Sequence, residues 1–175
     1  MLRVLPPGAL IAMSWWLAGP TPFGMALAAL AILGPLLMRA ERARRPIPDE
    51  LLLTAAIWVV ACTIAAGFVD QTARRPLTAL VSGLAVAGVL AGSSALLRGG
   101  ICAADIAVAG IVGIATGLND WTTAAKALWW SAALGGAVAI FMVLAKHAHR
   151  RDLLPLSPML IAGAVMAAVP LTLPG

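Results

Sequence analysis

Asp105 is the residue in this sequence whose position most strongly suggests chemistry. It stands near the start of the apolar stretch ICAADIAVAGIVGIATG, residues 101–117, and no basic residue is adjacent to it. An ionisable side chain in such a segment is costly, so it usually has a partner or a function. A second carboxylate, Glu41, ends another apolar block within the basic stretch RAERARRP. Two carboxylates held close together share one proton, so that one acts as a base while the other donates a proton.

Each acidic residue also has a plainer structural interpretation. Asp105 fits the first turn of a helix, where an acidic side chain interacts favourably with the helix dipole. Glu41 fits a solvated charge cluster beside a membrane, because arginines stand on both sides of it. The remaining acids are interpreted as helix caps, first-turn acids or solvated charges, with Asn119 as an alternative cap to Asp120. They are Asp49, Glu50, Asp70, Asp120 and Asp152.

Long apolar blocks must position these carboxylates. The chain of 175 residues is 62% hydrophobic and 11% charged, with a mean hydropathy of +0.99, whereas soluble domains carry about 25% charged residues. The blocks lack the alternation of barrel strands, and lipid excludes unpaired backbone groups, so they should be helical. We expect one domain, residues 1–175, that is an all-α integral membrane protein, a polytopic bundle of about six or seven transmembrane helices. The blocks lie near residues 4–18, 22–38, 51–69, 77–97, 103–118, 122–145 and 154–172.

The basic residues indicate membrane orientation rather than nucleic-acid binding. The net charge is +5, but the Lys and Arg residues lie in short segments between apolar blocks. With alternating spans, eight of them share the side of Glu41 and Asp105, against three on the other side. Because cytoplasmic loops are enriched in Lys and Arg, we predict that both carboxylates face the cytoplasm at similar depth. The eight are Arg39, Arg42, Arg44, Arg45, Arg98, Lys146, Arg150 and Arg151, and the three are Arg74, Arg75 and Lys126.

No residue pattern indicates a cofactor or a metal site. Cys62 and Cys102 do not form a C-x-x-C pair, which argues against a zinc site or a disulfide. His147 and His149 are two residues apart, so they do not share a helix face. We therefore expect no cofactor and no metal, and the sequence leaves the oligomeric state open.

Glycines follow Asp105 along the same apolar block. Gly113 and Gly117 form a small-xxx-small pair, with Gly110 one turn earlier. Small residues at this spacing let two helix backbones approach closely in a membrane. The pattern predicts that the helix carrying Asp105 packs tightly against a neighbour.

Three stretches form an ordered set of motifs across nearly the whole chain. They are ERARRPIPDELLL (residues 41–53), CAADIAVAGIVGIATG (residues 102–117) and LPLSPMLIAGA (residues 154–164). In their order and spacing they resemble the type IV prepilin peptidase family, the membrane aspartic peptidases of bacteria and archaea. This resemblance places the two catalytic carboxylates of the family on Glu41 and Asp105.

The resemblance implies a membrane aspartic endopeptidase that acts on prepilins. Such an enzyme cleaves the basic leader of a prepilin at the cytoplasmic face of the bacterial inner membrane. Its implied partners are the lipid bilayer and the prepilin, whose apolar helix lies in the membrane beside the enzyme. The chain is similar to the short, peptidase-only kind that serves Tad/Flp pili, because it lacks the cytoplasmic zinc-binding region of larger family members.

Several motif positions depart from the family pattern. Glu41 replaces an aspartate, and Ala107 replaces a lysine that commonly follows the second aspartate. Cys102, Ala104 and Ser157 replace glycines. These departures leave open a second hypothesis, a catalytically inactive relative that binds pilin or assists pilus assembly. A third hypothesis is a small transporter with a carboxylate proton relay, but the sequence shows no inverted repeat to support it.

Overall fold

The computed structural model describes residues 19–42, 49–96, 102–144 and 156–169, with the backbone alone described for residues 38–42 and 142–143. This part of the chain forms α-helices and contains no strand. The helices are α1 (Pro22–Arg42), α2 (Asp49–Asp70), α3 (Arg74–Leu96), α4 (Ala103–Gly117), α5 (Trp121–Leu144) and α6 (Leu156–Ala168). The expectation of an all-α fold is confirmed for the described residues.

Three of the described helices are long and apolar enough to cross a membrane, judged by length and composition. They are α2, α3 and the Trp121–Phe141 part of α5. Helices α4 and α6, with the apolar part of α1, are shorter. The described residues therefore contain three candidate spans, whereas the sequence predicts six or seven. The first predicted block, residues 4–18, lies outside the described residues.

Helix α4 lies at the centre of the described part of the bundle. It contacts each of the other five described helices, and most of its residues are buried from Val108 onward. Its sequence explains this position, because Ala103–Gly117 contains mainly alanine, glycine and β-branched aliphatic residues. A helix with small side chains presents little bulk to its neighbours, so several helices can approach its axis at once.

Helix α4 packs closely against α3 through glycines. A Cβ atom placed on Gly113 would lie 2.8 Å from the Gly83 Cα, and one placed on Gly117 would lie 2.9 Å from the Ala79 Cα. Real Cβ atoms do not approach other atoms so closely, so only glycine fits at these two positions. Gly110 faces Ala87, one turn further along α3, so the two helices run antiparallel. The predicted close approach through Gly113 and Gly117 is confirmed, and its partner is α3.

Helix α6 packs against α5 on one side and α1 on the other. A Cβ atom on Gly163 would lie 2.6 Å from the carbonyl oxygen of Ala127 in α5, and it would also contact Ser131 Oγ. Towards α1, the Ile161 side chain lies against Gly34, where an added Cβ would be 3.3 Å from Ile161 Cγ2. These contacts fix the level of α6 relative to both neighbours.

Glycine-to-alanine substitutions test the packing of α4 against α3. We expect Gly117→Ala to lower the free energy of unfolding by about 1–3 kcal/mol, because the new Cβ overpacks the contact with Ser82 and Ala79. The matched control is Gly136→Ala in α5, where an added Cβ meets no atom within 4 Å. That control should leave stability unchanged or raise it by up to about 1 kcal/mol, since alanine is the better helix former. Unfolding in detergent micelles measures both, and equal effects would contradict this packing.

Candidate functional site

Asp105 lies in the first turn of α4, where the sequence places it. Cys102 precedes the helix with extended backbone angles, φ −73° and ψ 148°, and its side chain makes no capping hydrogen bond. The Cys102 carbonyl oxygen accepts hydrogen bonds from the backbone N–H groups of Asp105 at 3.0 Å and Ile106 at 3.3 Å. The Asp105 side chain is partly buried, and it does not close the helix end as a cap would.

The side-chain partner of Asp105 is Ser157, in the first turn of α6. The Ser157 hydroxyl donates a hydrogen bond to Asp105 Oδ1 across 52 residues of sequence. Ser157 is 0% exposed, whereas Asp105 is partly buried. Among the residues that the structure describes, no other side chain hydrogen-bonds to Asp105. Sequence reasoning noted Ser157 only as the replacement of a glycine; the available signal was a hydroxyl within the apolar stretch LPLSPMLIAGA.

Two helix N-termini meet at this hydrogen bond. Asp105 is the third residue of α4, and Ser157 is the second residue of α6. Each helix N-terminus carries a partial positive charge and unpaired backbone N–H groups, and both features favour a negative group. The carboxylate of Asp105 therefore lies where two helix dipoles and a hydroxyl donor act on it together.

The end of α1 that carries Glu41 lies at the same end of the bundle. Helix α5 turns back after α4, and α6 runs antiparallel to α5 because Gly163 lies at Ala127 and Leu160 at Ser131, so α4 and α6 are parallel. Helix α1 is antiparallel to α2, because Met25 near its start contacts Trp58 while its end leads to the start of α2. Helix α2 turns back into α3, which is antiparallel to α4, so α1 runs opposite to α4 and α6. Starting from the Gly34–Ile161 contact, four residues lead to Ser157 along α6 and to Met38 along α1, a rise of about 6 Å in each helix. Glu41 follows about 4.5 Å further along α1.

The predicted pairing of Glu41 with Asp105 needs the Glu41 side chain, which lies outside the described residues. The backbone of Glu41 belongs to the last turn of α1, less than one helical turn beyond the level of Ser157 by this register. Helices α1 and α4 are in contact within the described part of the chain. The pairing of the two carboxylates stays a prediction.

The opposite end of the bundle holds acids with ordinary structural roles. Asp70 Oδ2 and Arg75 Nη1 are 3.1 Å apart in the turn between α2 and α3. Asp120 precedes α5, and its Oδ1 accepts a hydrogen bond from the Trp121 backbone N–H at 2.8 Å. Its Oδ2 accepts one from the Thr122 hydroxyl at 2.8 Å. Asp120 is therefore the N-cap of α5, which confirms the prediction from sequence.

The remaining acids, cysteines and histidines form no metal site within the described residues. Asp49 and Glu50 are exposed in the first turn of α2, as the sequence predicts. Within the described ranges, no three His, Cys, Asp or Glu residues group closely enough to hold a metal ion. Cys62 is buried and Cys102 is exposed, each as a free thiol. The H-x-H residues, His147 and His149, and also Asp152, lie outside the described residues.

An apolar groove of about 520 Å³ runs between α1 and α2. Its walls include Ile32 and Leu36 of α1 and Leu51 of α2. At its far end, the Trp58 indole N–H donates a hydrogen bond to the Met25 carbonyl oxygen at 3.2 Å. Leu36 lies five residues before Glu41, so the groove extends towards the end of the bundle that carries the carboxylates.

Comparison with known proteins adds no relative. The chain matches no family model, no curated protein and no solved structure.

The cap of α5 predicts a pH-dependent contribution to stability. The hydrogen bond from Thr122 lowers the pKa of Asp120, with smaller contributions from Trp121 and from the charge of Arg74. A lowered pKa in the folded state stabilises the fold above the unfolded-state pKa of about 4, and this stabilisation is lost as the pH falls through the folded-state value. Asp120→Ala should therefore lower the melting temperature at pH 7.

The difference in melting temperature between wild type and Asp120→Ala should shrink as the pH falls below about 4, because the unfolded chain is protonated at Asp120 there, and it should vanish once the pH passes the lower pKa of the folded carboxylate. The control Asp120→Asn keeps a capping oxygen but has no titrating carboxylate. The difference in melting temperature between Asp120→Asn and Asp120→Ala should therefore change less with pH than the difference between wild type and Asp120→Ala. A constant difference from pH 7 to pH 3 between wild type and Asp120→Ala would contradict this account of the cap.

Proposed function

We propose that this protein is a membrane aspartic endopeptidase that cleaves the basic leader of prepilins. Asp105 and Glu41 form its carboxylate pair, and the pair faces the cytoplasm from the inner membrane of a bacterium. The observation that carries the proposal is Asp105 itself, a partly buried carboxylate bound by a buried hydroxyl where two helix N-termini meet. A carboxylate in an apolar bundle usually has a function, and Asp105 does not cap the helix that carries it. Proton transfer therefore explains its position better than capping does.

The carboxylate pair would act on the scissile peptide bond through a bound water molecule. The ionised member takes a proton from water while the water oxygen attacks the carbonyl carbon, and the protonated member donates to the carbonyl oxygen. Collapse of the tetrahedral intermediate breaks the C–N bond, and a proton from the pair passes to the leaving amine. Because the two groups titrate together, neither role belongs permanently to Asp105 or to Glu41.

The replaced glycines are compatible with this activity. Cys102 has φ −73° and ψ 148°, and Ala104 lies within α4, so both have backbone conformations that any residue adopts. The motif glycines are therefore not needed here for unusual dihedral angles. Gly113 and Gly117 remain in the second stretch and leave no room for a Cβ, and the same holds for Gly163 in the third stretch.

The apolar groove between α1 and α2 fits the second part of such a substrate. A prepilin has an apolar helix after its basic leader, and the helix lies in the membrane beside the peptidase. The groove is lined by Leu33, Leu36 and Ala55, among other apolar side chains, and it reaches towards the end of α1 that carries Glu41. A helix lying there would deliver its leader to the cytoplasmic end of the bundle.

A catalytically inactive relative that binds pilin or assists pilus assembly is the second candidate. The specific observation in its favour is Glu41, whose extra methylene alters the reach of the second carboxylate. A displacement of about 1 Å can cost about 100-fold in rate. This candidate keeps the fold and the groove but not the chemistry.

Leader cleavage is the decisive experiment. The protein is co-expressed with a candidate prepilin from the same genome, and the loss of the leader is followed as a size shift. We expect wild type to cleave, and Asp105→Asn and Glu41→Gln each to reduce the rate by at least about 100-fold, since each removes a proton-transfer group. Asp120→Asn is the matched control, because it removes an acid at the other end of the bundle and should leave the rate unchanged.

The outcomes separate the two candidates. Loss of cleavage in both site variants supports the pair. Cleavage by Glu41→Gln but not by Asp105→Asn would mean that Asp105 has a different partner. No cleavage by wild type, while a related active peptidase cuts the same prepilin, would favour the non-catalytic relative.

Restoring the aspartate of the family is a separate test of the second carboxylate. If Glu41 acts with Asp105, Glu41→Asp keeps an acid–base group and should retain cleavage, unlike Glu41→Gln.

The pH dependence of kcat/KM should be bell-shaped in wild type, because one member of the pair must be protonated and the other ionised. A sigmoidal profile with a single transition would contradict a proton-sharing pair.

A further inference from the structure

The hydroxyl of Ser157 differs from most other hydroxyls of the described helices, because its acceptor is a carboxylate on another helix. Most of those whose hydrogen bonds are resolved donate to the backbone carbonyl of their own helix four residues earlier, the usual arrangement for Ser and Thr in apolar helices. Ser157 cannot do this within α6, because the helix begins at Leu156. Its hydroxyl instead crosses to the carboxylate of another helix. The helix-bonded hydroxyls are those of Thr54, Thr63, Thr78, Ser93, Thr116 and Ser131.

The burial of Ser157 protects this hydrogen bond from competition by water. Ser157 is 0% exposed, so water does not compete for its hydroxyl. Pro158 follows it in the first turn of α6, and the proline ring restricts the backbone there. A hydrogen bond from a fixed donor to an ionised oxygen is stronger than one between neutral groups, and it sets the orientation of the acceptor. The Ser157 hydroxyl in the first turn of α6 therefore sets the orientation of the Asp105 carboxylate.

We propose that Ser157 is a positioning residue of the catalytic pair: its hydroxyl holds Asp105 Oδ1, and Asp105 Oδ2 is thereby presented to the water molecule and to the second carboxylate. This inference rests on the proposed peptidase function. Ser157 binds Oδ1, and the proposal assigns proton transfer to Oδ2. The family to which the chain bears a resemblance has glycine at this position, so the device belongs to this chain.

The kinetic test compares Ser157→Ala and Ser157→Gly with wild type in the leader-cleavage assay. Loss of the hydroxyl frees the carboxylate to rotate, so we expect kcat to fall by about 10- to 100-fold while KM changes by less than about twofold. Ser157→Gly restores the family residue but supplies no donor, so it should be as slow as Ser157→Ala.

The matched control is Ser131→Ala. Ser131 is also buried, and its hydroxyl donates to the Ala127 carbonyl oxygen at 2.7 Å within α5. This variant loses a buried serine hydroxyl of the same kind without touching a carboxylate, and it should keep kcat within about twofold of wild type. Equal losses of kcat in Ser131→Ala and Ser157→Ala would assign Ser157 a purely structural role and overturn the proposal. Full activity of Ser157→Gly would overturn it as well.

A second measurement does not depend on cleavage. Dicyclohexylcarbodiimide reacts with carboxyl groups in apolar surroundings, and mass spectrometry of the digested protein locates the adduct on Asp105. We expect Ser157→Ala to be labelled about threefold faster or more, since the hydroxyl no longer occupies Oδ1. Equal labelling rates in wild type and Ser157→Ala would overturn the hydrogen bond on which the proposal rests.

The two measurements together separate this proposal from the function beneath it. If wild type is active and Ser157→Ala cleaves slowly but is labelled faster at Asp105, both the peptidase function and the positioning role of Ser157 are supported. Active wild type with an equally active Ser157→Ala overturns the positioning role and leaves the peptidase function standing. Faster labelling of Ser157→Ala with an inactive wild type overturns the peptidase function, and with it any role of Ser157 in cleavage.

Discussion

The close approach of α4 to α3 is the constraint on which the rest of the described structure depends. In lipid the hydrophobic effect does not hold apolar helices together, so their association relies on packing and on a few polar contacts. Gly113 and Gly117 bring the backbone of α4 against Gly83 and Ala79 of α3 without an intervening side chain. The same small residues let α4 contact every other described helix. The position of Asp105 follows from this packing, because the carboxylate stands at the start of the central helix.

The acidic side chains at the two ends of the bundle differ in their partners and in the burial of those partners. Asp120 caps α5 and Asp70 pairs with an arginine, and both arrangements are common for acids at helix ends. Asp105 meets a hydroxyl that is itself 0% exposed, at the junction of two helix N-termini. Burying a polar group is costly unless it is hydrogen-bonded, so Ser157 and Asp105 satisfy each other. The proposed peptidase would use this arrangement for proton transfer, whereas Asp105 does not cap its helix.

The resemblance to prepilin peptidases and the geometry support different parts of the proposed function. The order of the motifs suggests the reaction and the substrate, and it selects Glu41 as the second carboxylate. The geometry supports the special status of Asp105, and it explains why glycine is dispensable at Cys102, where the backbone is extended. Ser157 departs from the motif, which has glycine at this position. The geometry nevertheless makes it the described side-chain partner of Asp105.

The sequence by itself determined the features that depend on neighbouring residues. Apolar blocks predicted the helices, Asp120 was recognisable as a cap, and the spacing of Gly113 and Gly117 indicated a packing face, because each depends on local hydrogen bonding or on helical periodicity. Only the tertiary structure decided that α3 is the partner of that face and that Ser157 meets Asp105 across 52 residues. Such contacts depend on how whole helix surfaces fit together, and no local pattern specifies which surfaces will meet.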